Sequence, residues 1–371
     1  MSGHPYLWLA AISLVLGLVA GVVLFRADYC MAGMFRDLFL FRQTFMLRTL
    51  LLLITVSMVL VEIARLLGLL RNYPFPFLGP PSLANLIGGA LFGVGMVLAG
   101  GCVIGTLYKL GSGRRSSLLA GLGLILGSTL YAEIHPGWSR LVKATTLSRS
   151  VTLPQLLGFG PTGPILLLSA LAGLVLWHWG RRGKLVRPAV VAGDLQPWLA
   201  AFILAGLGVA SWLLVGMPLG ITTGYAKIGA FLEGAVWPQH VARLSFFQTS
   251  PLVYRPPLFS TTVVGGPGPY FDAIAAVQLP LIAGIILGAF LASVRLGEFA
   301  PAGPLPMRQA ISALGGGVVM GLAARLVPAC NVWHLFGGVP VLAMQSLLFL
   351  LGMLPGAWLG SKMLARWVLK P

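Results

Sequence analysis

The stretch Gly88-Gly89-Ala90-Leu91-Phe92-Gly93-Val94-Gly95-Met96-Val97-Leu98-Ala99-Gly100-Gly101-Cys102 decides how this chain folds. It carries no charge, is rich in glycine and is apolar enough to lie in lipid. Gly89 and Gly93 stand one helical turn apart, a spacing that lets a second helix come close within a bilayer. Cys102 follows Gly93 by nine positions. The same spacing joins Gly17, Gly21 and Cys30, and again Gly317, Gly321 and Cys330. The pattern G-x3-G-x8-C therefore surrounds every cysteine of the chain. One match among 49 glycines is expected by chance; a match at all 3 cysteines is not. A fourth, degenerate copy runs Gly208, Trp212, Ile221, and is followed by Thr222, Thr223 and Gly224. Gly224 stands three after Ile221, as Gly33 and Gly105 stand three after Cys30 and Cys102. This copy offers hydroxyls in place of the thiol.

The rest of the chain has the same character. Of 371 residues, 57% are hydrophobic and only 9% charged, with mean hydropathy +0.92. A soluble globular protein carries roughly 25% charged residues, so lipid must be the solvent here. The net charge of +17 would suggest nucleic acid in a soluble protein. Here the bases sit in short loops between apolar runs, which is an orientation signal in a membrane, and no nucleic-acid partner is expected. The same excess attracts anions. Three distant cysteines make no disulfide scaffold, no Cys/His cluster suggests zinc, and no GxxxxGK[ST] loop is present to bind a nucleotide. No cofactor or metal is expected.

A span needs about 20 apolar residues, and nine segments qualify: roughly 6–25, 45–68, 83–99, 117–134, 163–180, 196–217, 273–294, 309–326 and 340–364. The first lacks a basic leader and is read as a retained span. With the N-terminus outside, one side collects Arg36, Arg42, Arg48, Lys109, Arg114, Arg115, the run Arg181–Arg187, Arg295, Arg308, Lys362, Arg366 and Lys370. The other holds the sparser set Arg65, Arg71, Arg140, Lys143, Arg149, Lys227, Arg243 and Arg255. Positive residues favour the cytoplasm, so the C-terminus is expected there. Two outer loops are long, about 135–162 and 218–272; the second reads either as a structured cap or as a flexible connection.

The segments 83–99 and 309–326 are short and run into glycine-rich breaks, the sequence pointer to a transport site. After each cysteine the chain stays apolar and is expected to form a short re-entrant helix. Cys30 and Cys102 follow odd-numbered spans, Ile221 and Cys330 even-numbered ones. Two breaks would thus enter from each face, which implies an inverted repeat with halves 1–187 and 188–371 forming one transport domain. The fold class expected is an all-α polytopic membrane protein of about nine transmembrane helices plus four short re-entrant helices.

At these residues the sequence resembles the YeeE/YedE sulfur-transport family. The resemblance covers nearly the whole chain and is carried by Gly88 to Cys102 with Gly105-Thr106-Leu107-Tyr108, and by Gly321-Leu322-Ala323-Ala324-Arg325 through Cys330-Asn331. Tyr29-Cys30 with Arg36-Asp37, and Pro218 to Gly224, resemble the two remaining signatures. It implies an hourglass-like fold in a bacterial inner membrane and import of thiosulfate. It also implies that Cys30, Cys102 and Cys330 match the family's three pathway cysteines. Val332-Trp333-His334 departs from the family, where small residues are more usual, and some relatives are linked to selenium metabolism. The partners implied are a small thiosulfate-like anion, the lipid bilayer and a cytoplasmic sulfur-accepting protein.

A thiol is a weak donor with a polarisable sulfur, so S–H contacts to a sulfur anion would be exchangeable, as conduction requires. Helix N-termini after the breaks would add unpaired N–H groups and a positive dipole end. Candidate path residues are Cys30, Cys102, Cys330, Arg26, Arg325, Gly101, Thr222, Thr223, Asn331 and His334. Each has a plainer reading. A buried cysteine is often a small hydrophobe. Arg26 and Arg325 could snorkel, or pair with Asp28 or Asp37. Thr222 and Thr223 could cap a helix, and His334 could be structural. Glu62 and Glu133 read as solvated or paired, Asn85 as a polar lining, and Lys109, Arg114 and Arg115 as orientation signals first. Two other functions were weighed. A soft-metal conduit lacks clustered thiolate and Met ligands in sequence. A thiol–disulfide enzyme needs two cysteines within bonding reach, whereas the repeat spaces single thiols.

Overall fold

Apolar runs bounded by glycine, proline or basic residues become helices. The computed structural model describes residues 5–70, 73, 77–189, 193–259, 261–301 and 303–368. In order these form α1 (Pro5–Ala27), α2 (Met31–Phe41), α3 (Phe45–Leu66), α4 (Leu83–Leu98), α5 (Val103–Gly111) and α6 (Arg115–Ala144). Then come α7 (Leu153–Leu157), α8 (Thr162–Arg181), α9 (Pro197–Val215), α10 (Thr222–Val236), α11 (Pro238–Arg243), α12 (Ala273–Arg295), α13 (Met307–Leu326) and α14 (Met344–Trp367). A π-helical turn, Trp333–Gly338, running into a 3₁₀ turn, Val339–Val341, separates α13 from α14. Among the described residues, nine segments are long and apolar enough to cross a membrane, one for each span expected. Arg71 and Lys370, counted above among the loop bases, lie outside the described residues.

Three helix pairs form the frame: α1 on α12, α4 on α14, and α13 on α6. The repeated glycines are the contact points. A Cβ on Gly17 would sit 2.6 Å from the Leu281 carbonyl, and one on Gly93 would sit 2.6 Å from the Ala357 nitrogen. Gly21, Gly89, Gly317 and Gly321 press in the same way on Ile285, Phe349, Ala120 and Leu124. Each facing helix answers with its own pair one turn apart: Gly284 and Gly288, Gly352 and Gly356, Gly123 and Gly127. Backbone thus meets backbone from both sides. At the degenerate copy this is lost: Gly208 has nothing within 4 Å of a Cβ, and α9 packs on the glycine-free α3.

Several expectations need correction. The span read as 117–134 continues to Ala144, because Pro136 sits inside a helix whose neighbouring turns still close; the loop expected at 135–162 is correspondingly short. The last span begins at Met344, later than expected, because residues 333–341 take π and 3₁₀ geometry. The stretch 218–272 is structured: it contains α10, α11 and an antiparallel hairpin of β1 (Leu252–Tyr254) and β2 (Val263–Gly265). Lys227, counted as an outer loop base, is fully buried. Its Nζ donates to the Gly268 carbonyl at 2.6 Å, the Tyr270 carbonyl at 2.9 Å and Asp272 Oδ2 at 2.9 Å. Asp272 in turn accepts from the Ala275 amide and caps α12. One buried ion pair therefore ties the outer segment to α10 and α12.

Candidate functional site

Each thiol stands where a helix stops and another begins. After α1 the chain turns through Asp28, whose φ of 43° is left-handed, and Cys30 takes extended backbone as the residue before α2. Gly100, at φ 73°, makes the corresponding turn before Cys102, the N-cap of α5. Cys102 Sγ accepts from the Gly105 amide at 3.3 Å. Cys330 precedes the helical turn that opens at Asn331, and its carbonyl accepts from the His334 amide at 3.0 Å. Ile221 holds the equivalent place before α10. The four copies of the pattern thus deliver four equivalent positions at helix N-termini. All three thiols are buried, Cys330 completely.

The fold does more than line the thiols up. Cys30 and Cys102 are close neighbours and act electrostatically on each other. Gly105 makes room for both: a Cβ there would stand 2.8 Å from Cys30 Sγ and 3.2 Å from Cys102 Sγ. The sequence spacing of single thiols hid this pair, because α2 and α5 come from different breaks. Asn331 joins the group, donating from Nδ2 to Met31 Sδ at 2.9 Å and lying beside Cys102. Tyr225, on α10, is within electrostatic reach of Cys102 and Cys330. Its buried hydroxyl, like Asn331 Oδ1, has no hydrogen-bond partner among the described residues.

On one side of the thiols, Arg325 is 6% exposed. Its guanidinium donates to Thr223 Oγ1 at 2.9 Å and to Thr222 Oγ1, and acts electrostatically on Cys330. Among the described residues no carboxylate pairs with it, and its Nε–H has no partner. Burying a guanidinium without an acid is costly, and such a group inside a membrane protein is a functional hypothesis by default. Thr222 and Thr223 act as acceptors for Arg325, and the N-cap position of α10 is occupied by Ile221 instead.

On the other side, Lys109 Nζ stands 3.7 Å from Cys30 Sγ and 2.7 Å from the Gly100 carbonyl it donates to. Lys109 lies two turns after Cys102 and faces a cavity of about 350 Å3 of mixed charge, lined by Arg26, Arg114 and Arg187 as well as Asp28, Asp194 and Glu298. Arg26 donates to the Gly193 carbonyl at 2.8 Å and so belongs to this vestibule, while Asp28 accepts from the Tyr108 hydroxyl at 2.7 Å. A separate, almost wholly apolar cavity of about 20 Å3 lies beside Cys102, between Tyr29, Met31, Leu219, Val332 and Phe336.

The sequence-derived candidates thus separate. Cys30, Cys102, Asn331 and the adjoining Gly101 cluster on one side of Cys330; Arg325, Thr222 and Thr223 gather on the other. Arg26 stands in the vestibule. His334 turns to α14: its ring stacks on Phe349 at 4.3 Å and Nδ1 meets Ser346 Oγ at 2.8 Å, a structural placement. Asn85, read as a polar lining, instead accepts from the Ser82 amide at 2.8 Å as part of a capping box. Glu62 is paired with Arg65 at 2.6 Å. Lys109 was read first as an orientation signal, and neither Gly105 nor Tyr225 was among the candidate path residues. Gly105 had a signal, the glycine three after each break, and Lys109 had another, since seven residues return to the same helix face.

Helix N-termini, thiols and a carboxylate-free arginine meeting between spanning helices define a membrane transport protein. The chain belongs to the sulphur transport family, whose model matches residues 26–359. It is similar to Thiosulfate transporter TsuA of Spirochaeta thermophila, 29% identical over 369 residues, covering 93% of this chain and 97% of that protein. Thiosulfate transporter TsuA of Escherichia coli is 27% identical over 357 residues, covering 94% and 92%. A shorter match, 30% over 174 residues, covers 46% of this chain and 41% of Probable transporter YedE of Escherichia coli.

Proposed function

We propose that this protein imports thiosulfate, or a sulfur oxyanion close to it, across the bacterial inner membrane along the cysteine-lined path. The carrying observation is Arg325, a buried guanidinium that, among the described residues, has a spare N–H and no acid beside it. Its counter-charge is the cargo. An anion entering from outside meets Arg325, Thr222 and Thr223, then Cys330, then the Asn331, Cys102 and Cys30 group. It leaves past Lys109 into the vestibule, where Arg26 stands and from which a cytoplasmic sulfur-accepting protein could collect it. Contact is by exchangeable S–H hydrogen bonds, strong enough to admit the anion and weak enough to release it, with no covalent intermediate. The names of the two long-matching relatives support thiosulfate as the cargo; a selenium-containing analogue is the nearest alternative.

Matched packing supports the inverted repeat of 1–187 and 188–371: α4 lies on α14 as α13 lies on α6, and α1 lies on α12 as α9 lies on α3. The adjacent Cys30 and Cys102 also supply the pair that a membrane thiol–disulfide enzyme would need; that reading predicts no uptake. Growth on thiosulfate as sole sulfur source, in a host lacking its own sulfate and thiosulfate uptake, tests the proposal. Wild type should restore growth. Cys30→Ala, Cys102→Ala, Cys330→Ala and Arg325→Gln, each present in the membrane at wild-type level, should lower uptake by about tenfold or more. Full growth with all three cysteine variants would defeat the relay. A persistent cargo adduct on a cysteine during transport would defeat the non-covalent mechanism.

A further inference from the structure

The path contains a dithiol. Cys30 and Cys102 come from separate breaks, yet their sulfurs crowd the same glycine, 2.8 and 3.2 Å from where a Cβ on Gly105 would be, which places them within about 6 Å of each other. Both sit on backbone that has just left one helix and not entered the next, so their side chains are not held in a helical ladder. Lys109 Nζ, 3.7 Å from Cys30 Sγ, opposes negative charge there and reaches it from the vestibule. Cys330 stands apart, beyond Asn331, with Arg325 as its charged neighbour.

We propose that Cys30 and Cys102 are a reversible redox modification site, oxidised to a disulfide by anionic disulfides of the polythionate class, and that the bond closes the path. Such an anion resembles two joined cargo molecules, and Lys109 offers it a cation beside Cys30. The Cys30 thiolate attacks an inner sulfur of tetrathionate; the central S–S bond breaks and one thiosulfate leaves with its electron pair. The Cys102 thiolate then attacks Cys30 Sγ, forming the Cys30–Cys102 bond and expelling the second thiosulfate. Two thiols are oxidised and release two protons to vestibule water, and one tetrathionate is reduced to two thiosulfates. Exchange of this kind proceeds by thiolate attack along the S–S axis and is undone by excess thiol. The bond removes two S–H donors and pins the start of α2 to the start of α5. That closing effect rests on the transport reading above; the bond itself does not.

The test uses the purified full-length wild-type protein. After exposure to tetrathionate, remaining thiols are alkylated and the chain is digested and weighed. The expected product is a Cys30–Cys102 cross-linked peptide, two hydrogens lighter than the free pair, with Cys330 alkylated; dithiothreitol should abolish it. Three alkylated cysteines, separate stable adducts on Cys30 and Cys102, or a bond to Cys330 would overturn the site. In proteoliposomes the same treatment should lower labelled-thiosulfate uptake by about tenfold or more, restored by reduction. A cross-link with unchanged uptake would overturn the closure and the cysteine path together, while leaving the bond in place.

Discussion

At the scale of single residues, the site is governed by what stands beside each thiol. Gly105→Ala would put a methyl group into the space shared by Cys30 and Cys102, and overpacking of this kind costs about 1–3 kcal/mol. Uptake should fall about tenfold while the protein still folds, with fluorescence-detected melting as the control. Lys109→Met nearly keeps the length and removes the charge 3.7 Å from Cys30. It should slow modification of Cys30 by an anionic thiosulfonate reagent more than by a neutral maleimide, about tenfold against about twofold; equal slowing would show that Lys109 acts by bulk alone. The positions of the cysteines, Thr222 and Thr223 were legible in the sequence because a repeat marked them, and Arg325 and Asn331 because they stand close to Cys330 in the chain. The closeness of Cys30 to Cys102 was not, since no spacing rule relates residues at the starts of two different short helices. His334 misled for a related reason: nearness to Cys330 in sequence says nothing about which way a π-helical turn directs its ring.

Among the elements, the small-residue pairs do the positioning. A bilayer supplies no hydrophobic drive between helices, so close backbone packing holds α1 to α12, α4 to α14 and α13 to α6. Gly93→Leu would push against the Ala357 nitrogen, 2.6 Å from the new Cβ. The loss should be about 3 kcal/mol, visible as a lower melting temperature and poor membrane yield. Gly208→Leu, at the degenerate copy with nothing within 4 Å, should be tolerated; an equal loss there would show that α9 packs as tightly as the other three. By contrast, His240 bridges Glu133 at 3.3 Å and Glu233 at 2.6 Å with side chains up to 46% exposed. Exposed pairs are worth about 0–1 kcal/mol, so Glu133→Gln should barely move the melting curve. The existence of every spanning helix was readable from hydropathy. The ends were not: Pro136 did not stop α6, and the turns after Cys330 delayed α14. In the first case the helix ran through a local breaker; in the second, π and 3₁₀ turns took residues that hydropathy assigned to the span.

For the whole molecule, charge and crossing geometry set the behaviour. The basic run from Arg181 to Arg187 and the bases before α6 lie on the side that the positive-inside rule assigns to the cytoplasm. A fluorescent-protein fusion at the C-terminus should therefore glow, and an alkaline phosphatase fusion there should stay inactive; the reverse result would invert the path described above. The long segment between α9 and α12 was legible only as a long loop, because its order depends on Lys227, whose burial no composition rule foresees. The glycine-on-glycine crossings have one more consequence. Helices that touch through their backbones have no compressible side-chain layer to slide on, so the two halves cannot rock past each other without losing those contacts. What remains free to move is small: a guanidinium, two thiols, a lysine tip. Side-chain rotations of that size run in picoseconds to nanoseconds, whereas domain rocking takes microseconds to milliseconds. If transport runs through side-chain motion within such a frame, throughput should depend weakly on temperature and on the fluidity of the surrounding lipid.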